Sequence, residues 1–138
     1  MAPVPYSRMI PLVRPDVRPC LRPYILESCQ NDLNKLYPTS FQQSILKAKL
    51  QKRICFYQDH PSDFFLGNPL FEFYGNYSDY GTPLPVYVMR FNKVKPLGNL
   101  RIFFVIENKE MYLIHAFLEK GKKTYGPAYE VVKTRLSY

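Results

Sequence analysis

The sequence is poor in the residues that build disulfide frameworks and metal sites. Its three cysteines, Cys20, Cys29 and Cys55, are an odd number and show no CxxC spacing, which argues against both a disulfide framework and a zinc site. Two histidines and scattered acidic residues give no cluster of metal ligands. Unpaired cysteines fit a reducing compartment, so we expect a cytoplasmic protein.

Long apolar runs are also missing. No stretch approaches the roughly 20 apolar residues that a membrane-spanning helix needs. The first residues contain no continuous apolar segment of the kind found in a signal peptide. We therefore expect no membrane-embedded part. With 138 residues, 46% of them hydrophobic, the chain is long enough to bury the core of one domain.

Positive charge is concentrated at the two ends of the chain. The net charge is +8, and residues 89–138 hold ten basic against four acidic residues. Residues 1–23 hold four arginines against one acidic residue, whereas residues 24–88 are nearly balanced. A basic region favours a polyanionic partner, which is nucleic acid, an acidic protein or a membrane face. The alternative is a basic protein without such a partner.

Residues 1–23 form an arm rich in proline and arginine. Six of the thirteen prolines lie there, and an Arg-Pro pair recurs every four residues, at Arg14, Arg18 and Arg22. Because proline fixes φ and lacks an amide donor, this arm cannot be a helix or a central strand. It either reaches a partner or packs on the domain, and we favour packing. Residues 24–138 are predicted to form a single domain.

The apolar pattern predicts two helices before the main strands. A short strand at 24–26 is followed by a helix over 29–36, with Ser28 as its cap. A longer helix begins after Thr39 or Ser40 and ends near residue 58, with apolar residues at helical period along one face. The short joint between the helices predicts an αα-hairpin.

Three antiparallel strands and a short helix are predicted after the hairpin. β-branched and aromatic residues predominate in the strands, at 86–91, 100–106 and 111–118. An aromatic-rich loop over 59–85, with one short strand at 70–74, precedes them, and a helix at 126–136 follows. The predicted class is α+β: an N-terminal strand and an αα-hairpin packed on a small, mainly antiparallel sheet, with a short C-terminal helix.

The order of these elements resembles the RelE/ParE superfamily of toxins from bacterial toxin–antitoxin systems, and most of all its HigB-like, phage-derived branch. The resemblance covers about residues 24–136 and is strongest in the C-terminal third. Four segments carry it, in this order: MRF (89–91), LRIFF (100–104), LIHAF (113–117) and EKGKKT (119–124). A last helix ending in KTRL follows them. The proline-rich arm lies outside the resemblance.

The resemblance implies a RelE-like fold and a toxin that cleaves mRNA as a ribosome-dependent endoribonuclease, with no cofactor and no metal. It implies contact with the ribosome and with mRNA. It also implies a toxin–antitoxin hetero-oligomer with a cognate antitoxin that carries an acidic segment. The alternatives are a ParE-like inhibitor of DNA gyrase and a degenerate toxin that serves as an interaction module. An antitoxin is expected to dock on a free sheet edge at 86–91.

Cleavage of RNA by its own 2′-hydroxyl requires a base, cations at the phosphate and an acid for the leaving oxygen. Arg101 and Arg90, predicted on neighbouring strands, are the expected phosphate ligands, because a guanidinium binds two oxygens at once. The alternative for Arg101 is a structural salt bridge. His115 is either a general acid–base residue or a hydrogen-bonded core residue. Lys120 and Tyr125 complete the predicted catalytic set.

A second set of residues is predicted to bind nucleic acid: Lys93, Lys95, Lys120, Lys122, Lys123 and Tyr129. The lysines are either phosphate ligands or a solvated face. The tyrosine, like Tyr125, either stacks on a base, supplies a hydroxyl to the proton transfer, or packs against the sheet. Antiparallel pairing of the last two strands brings Arg101 and the lysines from Lys120 to Lys123 to one edge of the sheet. The sequence therefore predicts one basic site at that edge.

Overall fold

The computed structural model describes residues 8–12, 22–59, 71–76, 85–95, 97–107 and 110–136. These residues form one sheet of six strands, together with three α-helices. In chain order the elements are β1 (Met9–Pro11), β2 (Arg22–Leu26), α1 (Glu27–Leu36), α2 (Ser40–Asp59), β3 (Phe71–Asn76), β4 (Pro85–Val94), β5 (Gly98–Glu107), β6 (Glu110–Leu118) and α3 (Tyr125–Leu136), with a 3₁₀ turn at Lys122–Thr124. The predicted α+β class is confirmed.

The sheet has the strand order β1-β2-β6-β5-β4-β3. Strand β2 pairs parallel with β6, and the other pairings between these strands are antiparallel. Strand β5 lies inside the sheet and is buried from Leu100 to Val105. This continuous burial explains why its sequence is apolar at successive positions instead of alternating.

Strand β4 is not the free edge that we expected at residues 86–91. Phe71 to Asn76 pair with β4 on one side, and β5 pairs with it on the other. The free edge at 86–91 that an antitoxin was expected to use is therefore absent, because β3 already pairs with β4 there. The sequence predicted a short strand at 70–74 but not its partner.

Part of the N-terminal arm belongs to the sheet. Residues Met9–Pro11 pair antiparallel with β2, and the amide of Leu12 donates to the carbonyl of Pro23 at 2.9 Å. Proline is tolerated here because an edge strand can lack an amide donor without interrupting a ladder. The described part of the arm is thus packed on the domain. Its remainder, and most of the loop at 59–85, lie outside the described residues.

The two helices of the αα-hairpin start in different ways. Helix α1 begins directly after β2, at Glu27, and no side chain caps it. Ser28 therefore lies inside the first turn and is not the cap that we predicted. Helix α2 has the predicted cap: the amide of Gln42 donates to the Thr39 hydroxyl at 3.1 Å, and the Thr39 amide donates to the Gln42 side chain at 3.3 Å. This reciprocal pair is a capping box.

Replacing Thr39 by alanine should lower the free energy of unfolding by about 1 kcal/mol, because one amide of the first turn loses its acceptor. Chemical denaturation of the two proteins measures the difference. Ser44, an exposed residue within α2, is the control, and Ser44→Ala should change stability by less than about 0.5 kcal/mol. Equal effects of the two substitutions would contradict the capping role.

The hydrophobic core lies where the helices pack on the sheet. The helices contribute the following buried residues: Cys29, Leu33, Leu46, Leu50, Ile54, Ala128, Tyr129, Val132 and Leu136. A buried hydrogen bond fixes the hairpin joint to the strands, since the Tyr37 hydroxyl donates to the carbonyl of Leu97 at 2.7 Å. This bond sets the position of α1 relative to the β4–β5 turn. None of the described helices is long and apolar enough to cross a membrane.

Candidate functional site at the end of β6

Strand β6 extends beyond its neighbour β2. The parallel register runs from Arg22 opposite Glu110 to Ile25 opposite Leu113, after which the chain turns into α1. Among the described residues, no strand covers this edge of β6 beyond Leu113. The backbone groups there need other hydrogen-bond partners.

Side chains from α1 and α3 complete the edge that β2 leaves. The carboxylate of Asp32, on α1, accepts the amide of Ala116 at 3.3 Å. The guanidinium of Arg135, on α3, donates to the carbonyl of Ile114 at 2.9 Å. Ile114 lies in the register shift between β5 and β6, where the regular ladder is interrupted. The side chains of Asp32 and Arg135 therefore make hydrogen bonds to β6 that a neighbouring strand would otherwise make.

The same two side chains hold His115. Nδ1 of the imidazole lies 2.8 Å from Oδ2 of Asp32. Arg135 donates to both carboxylate oxygens, to Oδ2 from Nη1 at 2.6 Å and to Oδ1 from Nη2 at 3.1 Å. The three side chains are 13% to 20% exposed, so the cluster is shielded but reaches the surface. We call Asp32, His115 and Arg135 the β6 polar cluster.

The charge state of Asp32 follows from these contacts. Burial by itself raises the pKa of the carboxyl, but the hydrogen bonds from His115 and Arg135 and the charge of Arg135 outweigh burial and lower the pKa to about 2. Asp32 is therefore ionised at neutral pH and only accepts hydrogen bonds.

We expect stability to depend on pH through Asp32. A carboxyl whose pKa is lowered from 3.8 to about 2 on folding contributes stability that is complete above pH 3.8 and is lost as the pH falls towards 2. After allowance for its partial exposure, the contribution is about 1–2 kcal/mol. Urea unfolding of wild type and Asp32→Asn between pH 2 and 6 measures it. Parallel curves for the two proteins over that range would refute the assignment.

His115 lies on a surface groove between β6 and α3. The groove is lined by His115, Phe117, Leu118, Lys123, Thr124, Pro127, Ala128 and Val131. The imidazole stacks on the ring of Phe117, with centroids 5.8 Å apart and planes 17° from parallel. A second groove lies on the α1 side, where Asp32, Lys35 and Lys120 meet Phe117 and Leu118. The end of β6 therefore separates two grooves, each with lysine at its wall.

Arg101 lies at the start of β5 and is buried, with 3% of the residue exposed. Its guanidinium donates to Glu119 at 2.9 Å and to the Tyr125 hydroxyl at 3.0 Å. The remaining nitrogen, Nη1, donates to the carbonyls of Leu100 and Phe91 at 3.1 and 3.3 Å. These contacts match the structural alternative for Arg101, since its donors are directed at protein acceptors. Arg101 therefore connects the start of β5 to the segment that follows β6.

Tyr125 begins α3 and packs edge to face on Phe103 and Phe117, with centroids 6.1 and 5.5 Å apart. Burial and the hydrogen bond with Glu119 raise the pKa of its hydroxyl, while Arg101 acts in the opposite direction. The net shift is upward, so the hydroxyl keeps its proton at neutral pH. Tyr125 is suited to donating a hydrogen bond and not to acting as a base.

The other predicted residues fall into two groups. Lys120, Lys122 and Lys123 are exposed on the segment between β6 and α3, and Lys95 is exposed near the β4–β5 turn. The antiparallel register and a bond from the Glu119 amide to the Asn99 carbonyl, 2.9 Å, place that turn and that segment at the same end of the sheet. The predicted gathering of basic residues at one end is therefore present.

Arg90 and Tyr129 do not line the grooves beside β6. Arg90 is directly opposite Arg101 in the register, as expected for neighbouring strands, and is half-buried. Lys93 is in β4, and its side chain lies outside the described part. Tyr129 is buried at 7% exposure, with its ring edge to face on Phe103 at 6.0 Å. Tyr129 therefore packs against the sheet, and base stacking is not open to it in this structure.

Sequence reasoning missed Asp32, Arg135 and Glu119. Arg135 stands in the KTRL end of the last helix, which follows the four segments that carry the resemblance, but no role was predicted for it. Asp32 directly precedes the buried Leu33 and follows the buried Cys29 by three residues. This places an acid at the border of the buried helix face. The charge of Asp32 at this border was the sequence signal that could have identified it as a site residue.

No protein-family profile, no curated protein and no solved structure matches the chain. The structure defines its class as an α+β protein with a mixed sheet, in which two helices carry polar groups to the end of one strand. The chemistry of the residues at that strand end therefore indicates what the site can do.

Proposed function

We propose that the protein is a metal-independent endoribonuclease that cleaves mRNA on the ribosome, as the toxin of a type II toxin–antitoxin pair. One observation carries the proposal. The imidazole of His115, which is held by the ionised carboxylate of Asp32, lines a groove whose wall includes Lys123. General acid–base catalysis beside a cation is what cleavage of an RNA phosphodiester needs.

The surrounding residues supply the other requirements of this reaction. Lys120, Lys122 and Lys123 are exposed next to the groove and would neutralise phosphate charge. The hydroxyl of Tyr125 would help to hold Glu119 beside this segment, because its one proton is directed at that carboxylate. Arg101 takes a different part from the phosphate clamp that the resemblance implies: it holds Glu119 and Tyr125 in position through its buried contacts.

The architecture supports the RelE-like assignment within this proposal. An N-terminal strand, an αα-hairpin, antiparallel strands and a C-terminal helix follow one another in the implied order. The basic segment comes where the resemblance requires it, between the last strand and the last helix. A cognate antitoxin with an acidic segment would complement Lys120, Lys122 and Lys123 and block the groove.

Expression in cells with mapping of mRNA ends tests the proposal. Induction of the wild-type chain should stop translation and produce new mRNA 5′ ends inside coding regions. The chain purified with its antitoxin removed should cleave mRNA in the A site of purified ribosomes in the presence of a metal chelator. Growth arrest with intact mRNA and damaged DNA would instead indicate a ParE-like gyrase inhibitor. Unaffected growth would indicate a degenerate interaction module.

Removing the lysines of the basic segment should weaken RNA binding. Changing Lys120, Lys122 and Lys123 together to glutamine should raise Kd for single-stranded RNA roughly 10- to 100-fold at low salt. It should also lower the slope of log Kd against log salt by about 2, since each single-strand phosphate contact contributes about 0.7. Fluorescence anisotropy with a labelled oligonucleotide measures both.

Three lysines on α2 provide a control with the same change in net charge. Lys47, Lys49 and Lys52 are exposed, and none of them lines the grooves beside β6. Changing them to glutamine should reduce affinity by less than threefold, an effect of net charge only. If both triple variants lose the same affinity, the basic segment is a solvated face and not a binding surface.

A further inference from the structure

The contacts within the β6 polar cluster indicate a role for Asp32 and Arg135. This role extends the proposed ribonuclease function and rests on it. His115 has two ring nitrogens, and only Nδ1 meets the carboxylate of Asp32. Because an ionised carboxylate only accepts hydrogen bonds, this contact requires a proton on Nδ1. The neutral ring then has its lone pair on Nε2, on the far side from Asp32. No hydrogen-bond partner for Nε2 is found among the described residues.

Arg135 fixes the orientation of this carboxylate. It contacts both oxygens of Asp32 and also the carbonyl of Ile114, the residue before the histidine in β6. The Ala116 amide, directly after the histidine, binds the same Oδ2. The carboxylate is therefore tied to the backbone on both sides of His115 and cannot turn away from the imidazole without breaking these bonds.

The contact between Arg135 and His115 supports the same protonation state. Nη1 of Arg135 approaches Nδ1 to 3.3 Å, but the guanidinium nitrogen only donates and its nearer acceptor is Oδ2 at 2.6 Å. A proton on Nδ1 directed at Oδ2 lets both donors share one acceptor. A proton on Nε2 alone would instead leave the Nδ1 lone pair facing the ionised Oδ2 at 2.8 Å, which is repulsive.

We propose that Asp32 and Arg135 are positioning residues that keep the proton of neutral His115 on Nδ1 and leave Nε2 as the proton acceptor for RNA cleavage. Nε2 takes the proton of the 2′-hydroxyl as its oxygen bonds to the adjacent phosphorus. The bond from phosphorus to the 5′-oxygen breaks, and this oxygen takes a proton from a lysine ammonium or from water. The products are a 2′,3′-cyclic phosphate and a 5′-hydroxyl, and proton exchange with solvent restores the protein.

Nitrogen NMR of the imidazole tests the positioning without any activity measurement. The sequence has one other histidine, His60, so His60→Gln leaves a single imidazole signal set in the ¹⁵N-labelled full chain. In the neutral ring, Nδ1 should show the chemical shift of a protonated nitrogen and Nε2 that of an unprotonated one. In Asp32→Asn this preference should be lost or reversed, because the amide has only one acceptor. The opposite assignment in the wild type would overturn the proposal.

Kinetics on ribosome-bound mRNA test the consequence for catalysis. Asp32→Asn should lower the single-turnover cleavage rate about 10²- to 10³-fold, with substrate affinity changed by less than about threefold. Arg135→Lys, which keeps the charge but not the two-oxygen contact, should lose less. Glu130→Gln, an exposed change on the same helix, should leave the rate unchanged.

The two measurements separate failure of the positioning from failure of the proposed function. An active wild type whose Asp32→Asn variant is folded by circular dichroism and cleaves at the normal rate would refute the positioning role alone. A wild type with the expected tautomer but without cleavage would refute the ribonuclease function and confirm only the arrangement of the cluster.

Discussion

Replacing Arg101 by methionine should lower the free energy of unfolding by about 3 kcal/mol, the largest stability effect that we expect from a single polar residue of this protein. The guanidinium is almost entirely buried and satisfies a carboxylate, a hydroxyl and two carbonyls. Methionine fills similar space but cannot donate to these acceptors. Because Glu119 is one-quarter exposed, water recovers part of the loss, and the effect should fall at the lower end of the range for broken buried pairs.

A second substitution distinguishes a lost ion pair from lost packing. When Arg101 is already methionine, Glu119→Gln should cost less than in the wild type, since the carboxylate that it removes has already lost its cationic partner. The coupling free energy from the double-mutant cycle should be about 1 kcal/mol or more. Chemical denaturation of the four proteins measures it. Lys120→Met, on the exposed side of the same segment, should change stability by less than about 0.5 kcal/mol.

An effect of Arg101→Met below 1 kcal/mol would contradict the structural role and return Arg101 to the phosphate clamp that the resemblance implies. The same variant informs on function at temperatures where it stays folded. A residue that positions Glu119 and Tyr125 should affect cleavage together with stability, so that Glu119→Gln changes both by less in Arg101→Met than in the wild type. A phosphate ligand would show loss of RNA binding with no such coupling to Glu119.

Local sequence patterns determined much of what is seen in the fold. The periodicity of α2 and its cap at Thr39 were predictable because both depend on residues within a few positions of one another. The continuous burial of β5 followed from its apolar run. The meeting of the β5 start with the segment after β6 followed from antiparallel pairing alone, which makes the two ends of a hairpin neighbours.

The β6 polar cluster could not be predicted in this way. Asp32 is 83 residues from His115 and 103 residues from Arg135 along the chain, and no periodic pattern links them. Their meeting depends on where β2 stops relative to β6, a difference of a few residues that sequence-based boundaries do not resolve. Tyr125 and Tyr129 show the same limit, since they lie one turn apart on the same face of α3 and both contact Phe103, and no local pattern shows that the second is buried more deeply.

The burial of Arg101 also needed the structure. A basic residue at the start of an apolar strand is compatible with a surface clamp or with a buried pair. The deciding partner, Glu119, lies 18 residues away across the hairpin. The two possibilities differ in whether the guanidinium binds this carboxylate or faces solvent. That depends on the path of the chain after β6, which turns back towards the start of β5 through the Glu119–Asn99 bond.

Replacing His115 by alanine should lower the rate of mRNA cleavage on the ribosome about 10²- to 10⁴-fold, the usual contribution of a positioned acid–base residue. The fold should survive, because Asp32 retains its bonds to Arg135 and to the Ala116 amide, so the carboxylate stays paired when the imidazole is removed. Single-turnover cleavage and thermal unfolding, measured on the same preparations, separate the two effects.

The matched control for His115→Ala is His60→Gln, which removes the other histidine of the chain and should leave the cleavage rate unchanged. Loss of activity in His115→Ala with RNA affinity retained, set against loss of affinity in the lysine variant, would assign chemistry to the imidazole and binding to the basic segment. This division follows from the structure, because His115 is shielded and held at a fixed position whereas the lysines are exposed. A His115→Ala protein that cleaves at the wild-type rate would make His115 a hydrogen-bonded structural residue and would require a different base.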